Sequence, residues 1–309
     1  MIFMRGIEQS EKFFREYGLP LFEREFPEVF PRLAFGLAGR GSECFGFDDE
    51  ISRDHDFNNG FAIWLTDEDD EKHGFKLIRA YSALLKEHPL SGSKSSKLGD
   101  MEHGVCRISH FFQRRIALDG APQSWQDWFY TPEYAFAEAV NGKVFLDNAG
   151  IFSAIRKEIR EGMPEDVRLK KIAAHLAGAA QSGQYNFLRC HQHNEPGAAA
   201  LALSDFVRDI IQLVFLFNRQ FAPYYKWALR AMRQLPKLGE LALPLEFLLT
   251  DHAPAKEKAD MIEDICTQIV LALKEQHLSD TENNYLEPHA FEVMKKIKNP
   301  QIRALHVMQ

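Results

Sequence analysis

The sequence predicts an α+β fold, in which a mixed β-sheet with flanking helices is followed by an all-helical bundle. Short apolar runs bounded by glycine and polar residues, the pattern of buried strands, occur only before residue 150. Helical periodicity surrounds these runs, and beyond Gly150 it continues without a further strand pattern. We therefore predict two domains, residues 1–150 with the sheet and residues 151–309 with the bundle.

Residues 1–150 carry both helix and strand patterns. Apolar residues recur near the helical period over residues 7–30, which predicts one or two helices with a break around Gly18 and Pro20. Another helix is predicted over residues 71–88, and aromatic-rich helical pieces follow from Trp125. The predicted strands cover residues 33–38, 54–65 (with a bulge at 58–60), 105–108 and 143–147.

Residues 151–309 show helical periodicity almost without interruption. Proline and glycine separate the periodic segments, as expected where helices begin and end. The predicted helices cover residues 151–161, 166–182, 198–221, 224–235 and 255–276.

The composition indicates a globular protein, and we expect it in the cytoplasm. Hydrophobic residues make up 45% and charged residues 26% of the 309 residues. The formal net charge of −7 argues against sequence-independent binding to long nucleic acid, which needs a basic surface. A small molecule or a protein is therefore the expected partner. The four cysteines lie far apart, which fits reduced thiols, and no apolar stretch has the length of a membrane span.

One stretch, residues 41–57, contains residue types suited to binding a metal-complexed triphosphate. It reads GSECFGFDDEISRDHDF and ends in an Asp-His-Asp triplet. Asp54 and Asp56, two residues apart on a strand, point to the same face, and paired carboxylates are oxygen ligands for Mg²⁺. Gly41 and Ser42 follow an apolar run, where a turn offers backbone N–H groups to phosphate. Nucleotide binding through a divalent metal is therefore predicted here.

The spacing of these groups resembles that of a known superfamily. An apolar run, Gly-Ser, a gap of about a dozen residues and Asp-x-Asp are similar to the pattern of nucleotidyltransferases typified by polymerase beta and kanamycin nucleotidyltransferase. The stretch also resembles a bacterial family of unassigned function within that superfamily, as do GDMEHGV, VFLDNAG, QSGQYN and PYYKW. The resemblance implies a nucleotidyltransferase-like sheet domain and a helical domain that covers the nucleotide. It also implies Mg²⁺-dependent transfer of a nucleoside monophosphate from a triphosphate such as ATP to a hydroxyl, with release of pyrophosphate. Mn²⁺ is the alternative metal.

The same resemblance suggests further site residues. The superfamily often supplies a third carboxylate from a later strand, but residues 105–109 contain no acid. Glu102 is our candidate for that catalytic role, and we interpret Asp147 as structural. In the helical half, PYYKW implies Lys226 as the cation for the triphosphate and Tyr225 as the aromatic neighbour of the base. Arg189 is expected to face the same nucleotide.

Other interpretations stay open from the sequence. The missing third acid favours a non-catalytic nucleotide-binding or regulatory protein on the same fold. The sequence also fits an interaction protein, such as one member of a toxin–antitoxin pair, whose helical half binds a partner. Arg168 and His175 have a spacing found in some helical ribonuclease toxins, which can pair with nucleotidyltransferases. A zinc site at residues 190–193, Cys-His-Gln-His, is disfavoured because residues two apart do not share a helix face.

Overall fold

The computed structural model describes residues 5–49, 60–88 and 103–309. It divides into two compact units, which are described separately below. Unit 1 consists of residues 1–123 and 135–162, and unit 2 consists of residues 124–134 and 163–309. The fold is α+β with a four-stranded mixed sheet, as predicted. The domain boundary near residue 150 remains a prediction.

The sheet of unit 1 has the strand order β3-β2-β1-β4. Strand β1 pairs antiparallel with β2 and with β4, whereas β2 pairs parallel with β3. All four predicted strands are present, although the second begins later than expected, and residues 54–59 of that prediction lie outside the described residues. The strands are β1 (Ala34–Leu37), β2 (Ala62–Leu65), β3 (Gly104–Arg107) and β4 (Lys143–Asp147).

The two central strands are apolar on both faces. Every residue of β1 and β2 is buried, which explains why their sequences, AFGL and AIWL, do not alternate with polar residues. One face packs against phenylalanines of the N-terminal helices; Phe14 stacks on Phe35 with ring centroids 4.9 Å apart. On β2, the buried Trp64 stacks on Phe152 at 4.0 Å and 17°. Aromatic packing therefore holds this unit together.

The helices of unit 1 surround the sheet. They are α1 (Gly6–Phe13), α2 (Leu19–Glu25), α3 (Asp67–Asp69), α4 (Phe75–Glu87), α5 (Ile108–Ile116) and α8 (Ile151–Glu161), together with α7 (Glu133–Val140), whose first two residues belong to unit 2. The helix at residues 151–161 agrees with its prediction at both ends. The flanking glycines explain this, since Gly150 adopts a left-handed conformation and Gly162 follows the last helical residue.

The predicted break around Gly18 and Pro20 is wrong. A π-helical turn over Phe14–Gly18 joins α1 to α2, so the backbone stays helical through the glycine. Pro20 is the second residue of α2, which follows directly on the π-helical turn. A Cβ atom at Gly18 would lie 2.6 Å from Cζ of Phe61, so the glycine permits a close approach to the core.

Every regular secondary-structure element of unit 2 is a helix. Its helices are α6 (Trp125–Tyr130), α9 (Glu165–Ala179), α10 (Leu188–Gln192), α11 (Pro196–Phe217), α12 (Tyr225–Met232), α13 (Ala242–Thr250), α14 (Ala255–Glu275), α15 (Leu286–Lys295) and α16 (Pro300–Arg303). Helices α9 and α11 form the centre, and a π-helical segment, Ala180–Phe187, extends α9 toward α10. Within the described ranges, no helix is both long and apolar enough to cross a membrane.

Helix α9 buries three cationic side chains, and each has a partner. Arg168 pairs with Glu165 at 2.7 Å and donates to the backbone oxygen of Leu216. The ammonium of Lys170 donates to the backbone oxygens of Val307 and Gln309 at 3.1 and 2.9 Å. Lys171 pairs with Glu133 at 2.5 Å. These contacts satisfy the polar ends of side chains whose stems fill the core.

Candidate functional site

The Gly41–Ser42 turn lies at the end of β1. Strand β1 ends at Leu37, and a 3₁₀-helical turn over Ser42–Phe45 follows, in which the amide of Cys44 donates to the backbone oxygen of Gly41 at 3.0 Å. The sequence therefore forms a glycine-serine turn directly after a buried strand, as predicted. A phosphate role for Gly41 and Ser42 remains a prediction.

Asn141 fixes the backbone that leads into this turn. Its Oδ1 accepts from the amide of Gly39 at 2.9 Å, and its Nδ2 donates to the Gly39 oxygen at 2.6 Å. The next residue, Gly142, has φ +69°, and a Cβ there would collide with the backbone oxygen of Leu37. The sequence analysis missed this clamp. Its signal was the Asn-Gly pair before the fourth strand, a common turn dipeptide.

Of the four acidic residues that the sequence analysis singled out, the structure describes one. Asp54, Asp56 and Glu102 lie outside the described residues. Asp147, at the end of β4, is structural as predicted: its Oδ1 accepts from the amide of Gly150 at 2.9 Å and its Oδ2 from the amide of Ser153 at 2.8 Å. Among the side chains that the structure describes, no three His, Cys, Asp or Glu residues are grouped to hold a metal.

Unit 2 contains a cavity of about 910 Å³ that the sequence analysis did not predict. We call it the tyrosine cavity, because Tyr134, Tyr224 and Tyr225 form a continuous aromatic part of its wall. The rings of Tyr134 and Tyr224 meet edge to face at 5.9 Å, and those of Tyr224 and Tyr225 are 4.3 Å apart. All three residues are exposed, Tyr225 to 76%.

Charged and polar side chains from α9 and α11 complete the tyrosine cavity. Nδ1 of His175 lies 2.9 Å from Oδ1 of Asp209. Burial raises the pKa of Asp209, whereas the hydrogen bond and the charge of His175 lower it. Gly178, one turn after His175, permits this geometry, since a Cβ there would collide with Oδ2 of Asp209. A half-buried histidine–aspartate pair therefore faces the same space as the tyrosines.

Two further ion pairs line the cavity. Lys171 and Glu133 are both buried and lie 2.5 Å apart. Arg208 and Asp205 are exposed, with Nη1 and Oδ1 3.5 Å apart. The lining therefore contains three carboxylates (Glu133, Asp205 and Asp209) and two permanent cations (Lys171 and Arg208), together with the titratable His175.

The helical residues predicted to bind nucleotide do not all meet at this cavity. Tyr225 lines it, but Lys226 and Arg189 do not. The ammonium of Lys226 lies 4.8 Å from the ring centroid of Trp227, and the guanidinium of Arg189 lies 4.8 Å from that of Tyr185. Nucleotide binding by these residues remains a prediction.

The other features noted in the sequence have structural partners. Arg168 is buried against Glu165, so it does not join His175 in a ribonuclease-like pair. His175 instead pairs with Asp209, which the sequence analysis did not single out. Residues 190–193 end α10 without contributing to a metal-ligand group within the described chain.

Comparisons with known proteins give limited matches. Residues 128–228, about a third of the chain, match a family described as a domain of unknown function (DUF4037). All residues that line the tyrosine cavity except Met308 and Gln309 fall within this match, as do VFLDNAG, QSGQYN and PYYKW. No curated protein matches the chain.

One similar solved structure is described as a nucleotidyltransferase-like protein from Exiguobacterium sibiricum. The similarity covers 91% of this chain and 81% of that chain, with a TM-score of 0.39 and 10% sequence identity. A likeness at this level establishes neither a shared fold nor a shared activity.

Proposed function

We propose that the protein is a Mg²⁺-dependent nucleotidyltransferase that acts on a small-molecule or protein acceptor. The observation that supports this proposal is the antiparallel pairing of β1, which leads into the Gly41–Ser42 turn, with β2, which follows Asp54 and Asp56 in the sequence. The turn follows β1, and the Asp-His-Asp triplet precedes β2 in the sequence.

The pairing of β1 and β2 supports a common site for these motifs. The two strands are antiparallel, with Gly36 opposite Ala62 and Ala34 opposite Trp64. The end at which the chain leaves β1 is therefore the end at which it enters β2. Asp56 precedes Gly60, the first described residue before β2, by four residues. This arrangement agrees with the superfamily pattern that the sequence resembles.

The reaction requires positioning and charge neutralisation. The acceptor oxygen attacks the α-phosphorus, the bond to the β-phosphate oxygen breaks, and pyrophosphate leaves as the acceptor hydroxyl loses its proton. The aspartate carboxylates suit Mg²⁺ or Mn²⁺, which neutralises charge on the triphosphate. In this proposal Asp54 and Asp56 hold the metal, Gly41 and Ser42 bind phosphate, and Glu102 supplies the third acid. Lys226, Arg189 and Tyr225 are the proposed contacts of the helical part to the nucleotide.

The test measures transfer of an α-³²P-labelled nucleoside monophosphate in the presence of Mg²⁺. Each of the four triphosphates is incubated with the protein and with metabolite or protein fractions of a bacterial extract. We expect labelled acceptor with the unaltered chain and none with the double variant Asp54→Asn, Asp56→Asn. The charge-matched control, Asp119→Asn with Asp280→Asn, alters two exposed aspartates and should retain transfer. Transfer that persists in the first double variant would contradict the proposal.

A second candidate function is nucleotide binding without transfer. It is favoured by Asp147, whose two oxygens are both engaged by backbone amides, and by β3, whose residues include no acid. Under this alternative, equilibrium dialysis would show metal-dependent binding of a triphosphate, while no extract fraction would become labelled. Asp54→Asn with Asp56→Asn would then abolish binding, because in this alternative the two carboxylates hold the metal on which triphosphate binding depends.

A further inference from the structure

We infer that the tyrosine cavity is a binding site for a small organic cation that carries an ammonium group beside a ring. The cavity lies entirely within unit 2. The inference does not rest on nucleotide transfer, and it assigns the Tyr225 ring to an ammonium ligand in place of the nucleotide base of the proposed function.

The first argument is the size and shape of the space. A volume of about 910 Å³ is within the range of small-molecule sites. The lining comes from five separate parts of the chain around one space: residues 129–134, 171–182, 205–212, 223–228 and 308–309. Such a cavity accommodates a ligand with a ring and several polar substituents.

The second argument is the chemistry of the aromatic wall. Tyr134 and Tyr224 are 43% and 44% exposed, and Tyr225 is more exposed still. The faces of tyrosine rings carry negative electrostatic potential and attract cations. Rings that meet edge to face or at a tilt, as these three do, present more than one surface to a ligand.

The third argument is the charge balance of the lining. Three carboxylates face two permanent cations, so one negative charge remains when His175 is neutral. Glu133 is engaged by Lys171, and Asp205 is within reach of Arg208, which leaves the excess charge on Asp209. Because Asp209 is partly desolvated, a cation nearby would stabilise its ionised form more than it would in water.

These features select among ligand classes. A neutral aromatic molecule, such as a nucleobase, would stack on the tyrosines but would supply no positive charge to Asp209, whose partner His175 compensates the carboxylate only when protonated. An anion would be repelled by the excess carboxylate. A ring-bearing amine can stack on the tyrosines and also place its positive charge near Asp209.

The experiment compares two probes that differ in charge but hardly in shape, and it adds a nucleoside as a third probe. Isothermal titration calorimetry or saturation-transfer NMR of the full-length protein would measure binding of benzylamine, its neutral analogue benzyl alcohol, and adenosine. We expect benzylamine to bind about tenfold more tightly than benzyl alcohol, the ratio that corresponds to about 1.4 kcal/mol. Equal affinity of the two, or tightest binding of adenosine, would overturn the inference. So would the absence of benzylamine binding at its highest soluble concentration.

Variants of the lining residues test whether benzylamine binds in the tyrosine cavity. Asp209→Asn preserves the shape of the side chain and should abolish the preference for benzylamine, whereas the exposed control Asp251→Asn should keep it. Should Asp209→Asn fail to fold, Tyr224→Leu removes part of the aromatic wall from an exposed position, and we expect it to weaken benzylamine binding severalfold. Its control is Tyr185→Leu, which alters an exposed tyrosine outside the cavity. Equal binding by Tyr224→Leu and Tyr185→Leu would place the probe elsewhere and overturn the inference.

Discussion

His175 and Asp209 face each other across the two central helices of unit 2, with Nδ1 and Oδ1 2.9 Å apart. Because an ionised carboxylate only accepts hydrogen bonds, Nδ1 is the protonated nitrogen of the ring while Asp209 is charged. The pair places a polar contact between α9 and α11, where Gly178 leaves room for the carboxylate. A histidine–aspartate pair is thus both part of the helix packing and part of the tyrosine cavity.

Gly178→Ala should destabilise the protein through this contact. The added methyl would collide with Oδ2 of Asp209, a short side chain with little freedom to move away. We expect a loss of about 1 to 3 kcal/mol in the free energy of unfolding, measured by urea denaturation. The control is Gly197→Ala in α11, where the methyl enters open space and should raise stability by about 0.5 kcal/mol. Similar midpoints for the two variants would contradict the proposed role of Gly178.

Asn141→Ala should weaken triphosphate binding. The change removes both hydrogen bonds that hold Gly39, two residues before the Gly41–Ser42 turn. A net loss of about 1 kcal/mol per hydrogen bond corresponds to roughly a fivefold to thirtyfold lower affinity if the turn binds phosphate. Binding of a non-hydrolysable triphosphate with Mg²⁺ would be compared with that of Asn284→Ala, an exposed asparagine of unit 2. An unchanged affinity in Asn141→Ala would separate the turn from the phosphate site.

Asp147→Ala should lower stability without removing transfer activity. The aspartate caps the start of α8 by accepting two backbone amides, and loss of such a cap costs about 1 to 2 kcal/mol. Denaturation midpoints and initial rates of labelled transfer, normalised to folded protein, would be measured on the same samples. A variant that is as stable as the unaltered chain but inactive would identify Asp147 as a reacting acid instead.

The lowered pKa of the buried Lys170 predicts that the free energy of unfolding changes at alkaline pH. Burial lowers its pKa from 10.5 to about 8, so between these values the unfolded chain binds a proton that the folded chain has lost. Unfolding should therefore become harder as the pH rises from about 8 to 10.5, whereas below pH 8 this group contributes no pH dependence. The difference between the unaltered chain and Lys170→Met isolates the effect from other titrating groups. A difference that stays constant over this range would contradict the prediction.

The sequence predicted the elements whose limits are set by local chemistry. The four strands and the helix at residues 151–161 were found because glycine and polar residues bound them on both sides. Helix α13 was missed because its sequence, ALPLEFLLT, is apolar almost all round and contains a proline, so it shows no amphipathic period. The helical path through Gly18 was mispredicted because the glycine serves the packing of Phe61, which local sequence does not reveal.

The Gly41–Ser42 turn and the tyrosine cavity also differ in how far local sequence predicts them. The Gly41–Ser42 turn follows from neighbouring residues, and it was predicted. The tyrosine cavity depends on residues as far apart as Tyr134, His175, Asp209 and Tyr225, which come together only when the start of α7 packs with α9, α11 and α12. Tyr225 was singled out for its local motif alone, and nothing near Asp209 in the sequence indicated that it would meet His175.

The stacking of Trp64 on Phe152 has a practical consequence. The remaining three tryptophans, Trp125, Trp128 and Trp227, all belong to unit 2, so Trp64 is the sole indole of unit 1. Because it is almost completely shielded from water, its emission should be blue-shifted and should move to longer wavelength when unit 1 melts. A chain with phenylalanine in place of the other three would make fluorescence a selective reporter of the sheet, and would reveal whether the two units lose their structure together or in succession.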